Sequence, residues 1–140
     1  MFKSIVIGLD GSDQSKHALA FAAGLAREEG AKLIVAHVEE DIVGKGGGPI
    51  HATEDELQAE IKHQAEELSS EGLETSVKMT SVMLGGPAPA IAKVADDADA
   101  DLIVVGSRGL SAISGMLLGS VAQRLPHFAH VPVMVIPSSP

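Results

Sequence analysis

Apolar positions along this chain fall into two alternating patterns: short unbroken runs, and longer stretches with helical spacing. Ser4 to Leu9 (SIVIGL) is an apolar run that stops at Asp10-Gly11-Ser12, which predicts a buried strand followed by a turn. Ser12 or Asp13 is placed to cap a helix in which Ala18, Phe21, Ala22 and Leu25 recur on one face, and Gly30 ends that pattern. Lys32 to Val38 (KLIVAHV) predicts a second buried strand. Thr53 and Glu56 have the spacing of a capping box, and Leu57, Ile61, Ala65 and Leu68 form the apolar stripe of a helix that closes at Gly72. Its other face, with Glu60, Lys62, Glu66 and Glu67, reads as solvated surface. Thr75 to Leu84 alternates loosely as a third strand. Pro87 suits a helix start, with Ile91, Val94, Ala95 and Ala98 as its buried face. Leu102 to Val105 (LIVV) is a fourth strand, Gly119-Ser120 opens a fourth helix, and Val131 to Ile136 (VPVMVI) is the last strand. Pro126 falls inside that fourth helix, where a proline costs about 3 kcal/mol, so the helix is expected to end or kink near Leu125.

Short apolar strands alternating with amphipathic helices imply an α/β fold, a parallel sheet covered on both faces. The 140 residues form one domain over 1–140, long enough to build a core without disulfides or metal. With 45% hydrophobic residues the chain is not disordered, and with no cysteine it has no thiolate site and suits a reducing, cytoplasmic compartment. The amino-terminal apolar run is too short for a signal peptide, and no run reaches the roughly 20 residues that span a bilayer. A net charge of -9 and 2% aromatic residues argue against nucleic acid as a partner.

The charge is uneven. Asp101 is the last acidic residue, and beyond it stand Arg108, Arg124, His127 and His130 with no carboxylate. Such a stretch spares a polyanion from repulsion, or it is simply buried strand and helix where charge is costly.

In an open parallel sheet, ligands bind beyond the carboxyl ends of the strands where the winding reverses. Two loops there carry suitable chemistry: Asp10-Gly11-Ser12 after the first strand and Gly106-Ser107-Arg108-Gly109 after the fourth. Gly106 and Gly109 permit positive φ and a close approach to an anion, and Gly119, Ser120 and Val121 present the unsatisfied N–H groups of a helix start. The Ser120 hydroxyl would add a donor to phosphate or a ligand to phosphate-bound Mg²⁺. Arg108 would close over the phosphates. Asp10 is either part of that site or an organiser of its own turn. The spacing G-x2-G-x9-G-S is neither the Walker loop nor G-x-G-x-x-G. The glycine-rich stretch Val43 to Pro49 reads as a connector, or as a lid with Lys45 facing phosphate. His127 and His130, three apart, would share a helix face as a metal pair, although no third ligand is near in sequence.

With that spacing, SIVIGLDGSDQSKHALAFA, DLIVVGSRG and LLGSVAQRL followed by VPVMVIP, the chain resembles the universal stress protein family, and specifically its ATP-binding branch, over essentially its whole length. The resemblance implies a three-layer α/β/α fold of the adenine-nucleotide alpha-hydrolase type, with a five-stranded parallel sheet in the order 3-2-1-4-5. It implies ATP, or ADP or AMP, as ligand, with Mg²⁺ on the phosphates. Gly8, Leu9, Asp10 and Gly11 would line the adenosine site, and the main chain of Val38 would read the adenine edge. Val105, Gly106, Arg108 and Gly109 would follow ribose and phosphates, which Gly119, Ser120 and Val121 would hold. It also implies a homodimer, through the last strand Val131 to Ile136, and a protein partner that the sequence does not name.

Three functions compete. The first is a nucleotide-dependent stress-response regulator. The second is a slow ATPase, against which stands the lack of any carboxylate after Asp101 to activate water. The third is a dimeric scaffold without nucleotide, against which stands the intact glycine pattern. A receiver domain would want an acidic pair after the first strand and a lysine where Ile136-Pro137 stands, and a flavodoxin would not place acidic residues at Asp10 to Asp13.

Overall fold

A computed structural model describes residues 1–39, 54–108 and 118–137. Strands and helices alternate throughout: β1 (Ser4–Gly8), α1 (Asp13–Glu29), β2 (Lys32–Glu39), α2 (Glu54–Ser70), β3 (Thr75–Ser81), α3 (Pro87–Asp97), β4 (Leu102–Gly106), α4 (Ser120–Phe128) and β5 (Val133–Ile136). The strands pair in parallel in the order β3-β2-β1-β4-β5. The winding therefore reverses between β1 and β4, which lie side by side with Ile7 opposite Val104.

The period of two along each strand divides the core. Ile5, Ile7, Leu33, Val35, Leu102 and Val104 face α1 and α2, while Val6, Ile34, Ala36, Ile103 and Val105 face α3 and α4. Both faces being covered is why these strands read as continuous apolar runs.

Local signals place the helix ends. The Ser12 side chain accepts from Ser15 N–H at the start of α1, and Gly30 closes it in the left-handed conformation at φ 68°. The buried arc of α1 is Ala18, Leu19, Ala22, Ala23 and Ala26, whereas Phe21, expected inside, is 48% exposed. Small side chains set this helix close to the sheet, and a ring fits only at its rim. In α2, Ile61 and Ala65 are buried and Leu57 and Leu68 pack at their edges. The expected capping residue Thr53 lies outside the described residues, as do Val43 to Pro49, Lys45 and Gly109.

Two expected boundaries move. The third strand stops at Ser81 rather than Leu84, because Gly85 and Gly86, at φ 98° and 94°, fold the chain back into a Met83–Gly86 bridge. The fourth helix does not end near Leu125 but continues to Phe128, closed by Ala129 N–H on Leu125 O at 2.9 Å. Pro126 is on the exposed side, so only the last turn loses a main-chain donor. His130 consequently lies past the helix and bonds Asp96 through Nδ1 at 3.0 Å, so it shares no helix face with His127. Among the described residues no group of three or more potential metal ligands is assembled.

Candidate functional site

The carboxyl ends of β1 and β4 meet where the winding reverses, and each is shaped by a crowded glycine. A Cβ on Gly8 would lie 3.2 Å from Ile91 Cδ1 and 3.3 Å from Val105 Cγ1. A Cβ on Gly106 would lie 2.9 Å from Gln14 Cγ and 3.3 Å from the Gln14 carbonyl. Gly106 is not among the glycines with positive φ, so close packing under α1 explains it, and not the turn conformation expected from the sequence.

Beyond Gly8 the chain bends through Leu9, Asp10 and Gly11. Leu9 N–H donates to Ala36 O at 2.9 Å, the last rung toward β2. Asp10 Oδ1 accepts from Ser12 N–H at 2.9 Å, so its carboxylate organises the turn. Gly11 has φ 86° and lies directly under Leu57 of α2, with no room for a Cβ. Here the left-handed backbone and the contact both call for glycine.

Val38 stands two residues beyond Ala36. Main-chain groups in a strand point to alternate sides: Ala36 O faces β1, where it takes Leu9 N–H, and Glu39 O faces β3, where it takes Val82 N–H at 3.2 Å. The N–H and C=O of Val38 therefore face the β1 side, where pairing has already ended at Gly8–Ala36.

On the β4 side, Ser107 N–H donates to Ile136 O at 2.9 Å, and Gln14 Nε2 donates to the same carbonyl at 3.2 Å. Gly119 N–H donates to Ser107 O at 2.6 Å. The sequence predicted that this amide would be open to a ligand; it is instead the tie that holds the start of α4 against the tip of β4. Ser120 and Val121 follow in the first turn of α4, where N–H groups have no intrahelical acceptor. Ser120 is exposed, Val121 packs at the edge of the α3–α4 core, and Arg108 is exposed. The structure thus gathers Gly8, Leu9, Asp10, Gly11, Val105, Gly106, Gly119, Ser120 and Val121 around one reversal, with Val38 one strand away.

Sequence reading missed Gln14 and His37. The signal for His37 was present: one imidazole in the otherwise apolar run KLIVAHV, here 3% exposed. Gln14 gave none, since its partner is 122 residues away. Among the described residues, the groups with shifted titration lie elsewhere. Lys16 is held above its usual range by a hydrogen bond and charge from Glu60, and Glu29 below its usual range by the Phe2 amide.

Known proteins share this fold. Residues 1–137 match the universal stress protein family. A universal stress protein of Thermus aquaticus is 37% identical over 97% of this chain and 99% of its own length. A universal stress protein solved in complex with cAMP superposes with a TM-score of 0.71 at 30% identity, covering 99% of this chain and 98% of that one. The universal stress protein from Archaeoglobus fulgidus in complex with dAMP gives a TM-score of 0.67 at 28% identity, covering 96% and 97%. By sequence along its whole length and by fold, the chain belongs to the universal stress protein family.

Proposed function

We propose that this chain is a nucleotide-dependent regulator that binds ATP, or ADP or AMP, at the reversal between β1 and β4. The observation that carries the reading is the Gly119–Ser107 hydrogen bond of 2.6 Å. It brings a helix amino end to the tip of a strand whose neighbour, β1, ends in a glycine-containing bend. Helix starts and such bends favour anions through their N–H groups and the helix dipole. The stretch after Asp101 adds no negative side chain. The bound cAMP and dAMP of the two relatives are both adenine nucleotides, which supports adenine as the base.

In this reading Gly8, Leu9, Asp10 and Gly11 line adenosine, and the Val38 main chain meets the adenine edge with one donor and one acceptor. Val105, Gly106, Arg108 and Gly109 follow ribose and phosphates. The Ser120 and Val121 amides hold the phosphates, while Gly119 fixes the geometry between the two loops. Ser120, exposed at the first position of α4, fits a ligand to Mg²⁺ carried by the nucleotide. That ion would neutralise phosphate charge. Hydrolysis is at most slow: Asp10 is engaged by Ser12 and lies at the adenosine end, and no other carboxylate accompanies the phosphate loops. Pairing of two copies through β5, an edge strand with half-buried Val133, Met134 and Val135, gives a cytoplasmic homodimer whose nucleotide state a protein partner reads.

Mass spectrometry of nucleotide released from the purified protein tests the reading, together with calorimetric titration of ATP. ATP should be retained by the wild type and lost from Gly109→Ala and Gly119→Val. Gly119 has φ -72° and ψ 167°, which valine adopts without backbone strain, so ATP lost from a variant whose unfolding midpoint is unchanged reports on the site and not on folding. Protein that carries no nucleotide and takes up none at millimolar ATP would leave only the scaffold function. Phosphate release faster than about one per minute would move the assignment toward an enzyme, for which about 10 per second is typical.

A further inference from the structure

The imidazole of His37 joins two elements that sequence keeps apart. Its Nδ1 lies 2.8 Å from the carbonyl oxygen of Leu9, in the bend after β1, and its Nε2 lies 2.9 Å from Glu54 Oε2, the first residue of α2. Both oxygens only accept when Glu54 is ionised, so two N–H groups are required. Either the ring is an imidazolium, or it is neutral and Glu54 carries the proton. In both cases each ring nitrogen is engaged by one oxygen. A flipped ring would turn C–H groups toward the same oxygens. Gln58, one turn further on, donates Nε2 to Glu54 Oε2 at 2.9 Å and orients the carboxylate. A second contact runs alongside: Leu57, in the same turn of α2, covers Gly11.

The first turn of α2 therefore grips the Leu9–Gly11 bend at a polar point and an apolar point, and the polar one passes through a buried ring. Nothing in the core requires a polar residue at position 37, since its neighbours on that face of β2, Leu33 and Val35, are fully apolar. A buried ring with two hydrogen-bonded acceptors fixes orientation more sharply than packing does.

We infer that His37 is a positioning residue: it fixes the Leu9 carbonyl, and with it the bend that meets adenosine, and it couples occupancy of that bend to the order of Glu54 to Gln58 at the start of α2. This rests on the nucleotide reading above and adds to it a route by which binding reaches an outer surface. Coupling of this kind is reciprocal: what orders α2 tightens the nucleotide, and the nucleotide orders α2 to the same degree.

His37→Phe keeps a flat ring without donors; Glu54→Ala cuts only the arm to α2; Glu54→Gln keeps it, because its amide donates to a neutral ring whose Nδ1–H still reaches Leu9. Affinities for ATP and for adenosine are measured by calorimetry, and amide hydrogen exchange over 9–15 and 54–60 is followed with and without ATP. His37→Phe should weaken ATP and adenosine by the same factor, about tenfold, the worth of one buried hydrogen bond. Glu54→Ala should abolish the protection that ATP gives to 54–60, and Glu54→Gln should restore it. A purely structural role would lower stability while leaving the affinity of the folded protein and the ATP-induced protection intact, and that result overturns the inference. So does a loss confined to ATP with adenosine unchanged. If the wild type binds no nucleotide, the nucleotide reading fails on its own, and exchange of the ligand-free proteins then decides the coupling. Glu54→Ala must speed exchange across 9–15 for the bridge to stand, and unaltered exchange there sinks it. Should His37→Phe not fold, the two Glu54 variants carry the same decision.

Discussion

The two ends of the parallel sheet solve the same problem, unpaired strand termini, by opposite chemistry. At the amino end the loose amides go to carboxylates. Asp101 takes Lys3 N–H at 2.9 Å and Ser4 N–H at 3.2 Å, and Glu29 takes Phe2 N–H at 3.0 Å. A depression of about 300 Å³ at this end is edged by Arg27, Lys32, Glu71 and Glu74, with Arg27 paired to Glu71. At the carboxyl end the amides of Leu9, Ser107 and Gly119 go to main-chain carbonyls. Among the described residues the acids at this end include Asp10, Asp13, Glu39 and Glu54, on the loops and helix starts that follow β1 and β2, and the sequence after Asp101 adds none beside β4 and α4. Charged acceptors make stronger bonds, so their absence beside β4 and α4 is informative. The Ser12 amide does take a carboxylate, that of Asp10, but the β4–α4 side supplies none, which suits the proposed nucleotide site.

Breaking the carboxyl end should give the largest effect. A side chain at 106 meets Gln14 Cγ and the Gln14 carbonyl, so Gly106→Val overpacks the tip of β4 and should cost about 2–3 kcal/mol in denaturant unfolding. It should also lower ATP affinity at least tenfold. Adding Gln14→Ala removes the Cγ contact but not the carbonyl contact, so the double variant should recover part of the stability. Strict additivity of the two changes would show that the crowding at 106 lies elsewhere.

Striking the amino end should uncouple stability from binding. Asp101→Ala leaves the Lys3 and Ser4 amides without their carboxylate and should cost about 1.5 kcal/mol, the lower range for bonds to a charged group. ATP affinity, measured well below the midpoint of unfolding, should be unchanged. A matching loss of affinity would mean that the two ends are not independent.

The contrast was only half legible in the sequence. Strand-helix alternation, the Ser12 cap and the Gly30 stop followed from local pattern, and with the family resemblance so did the order of the sheet. Errors came where local pattern met tertiary packing. The run Val82 to Leu84 continued the strand in composition, yet two left-handed glycines end it. Phe21 gave a stronger helical signal than Ala23 or Ala26, yet the alanines lie against the sheet. Pro126 broke a propensity rule that an exposed last turn tolerates. At the site, the glycines were visible but not their reasons: Gly106 is there for Gln14, and the Gly119 amide is used within the protein. The bonds from Gln14 to Ile136 and from His37 to Leu9 and Glu54 connect distant stretches, and no spacing encodes them.

The smallest expected effect sharpens the account of the amino end. The Phe2 N–H, then the terminal ammonium 3.3 Å away, hold the Glu29 carboxyl below its usual range. The folded chain thus binds this proton less readily than the unfolded chain, whose Glu titrates near about 4.3. Glu29 therefore contributes stability that is complete above that value and fades as pH falls through its lowered folded value. Glu29→Gln removes the contribution, so wild type and variant should differ at neutral pH and converge in acid. Guanidinium unfolding at a series of pH values measures this, with raised salt weakening the ammonium's share. Because Gln is isosteric with Glu, a difference that persists at the acid end would assign the effect to the amide's own hydrogen bonding and not to loss of the charge. ATP affinity should follow neither curve, because the carboxylate that fades lies at the end of the sheet where amides are sealed.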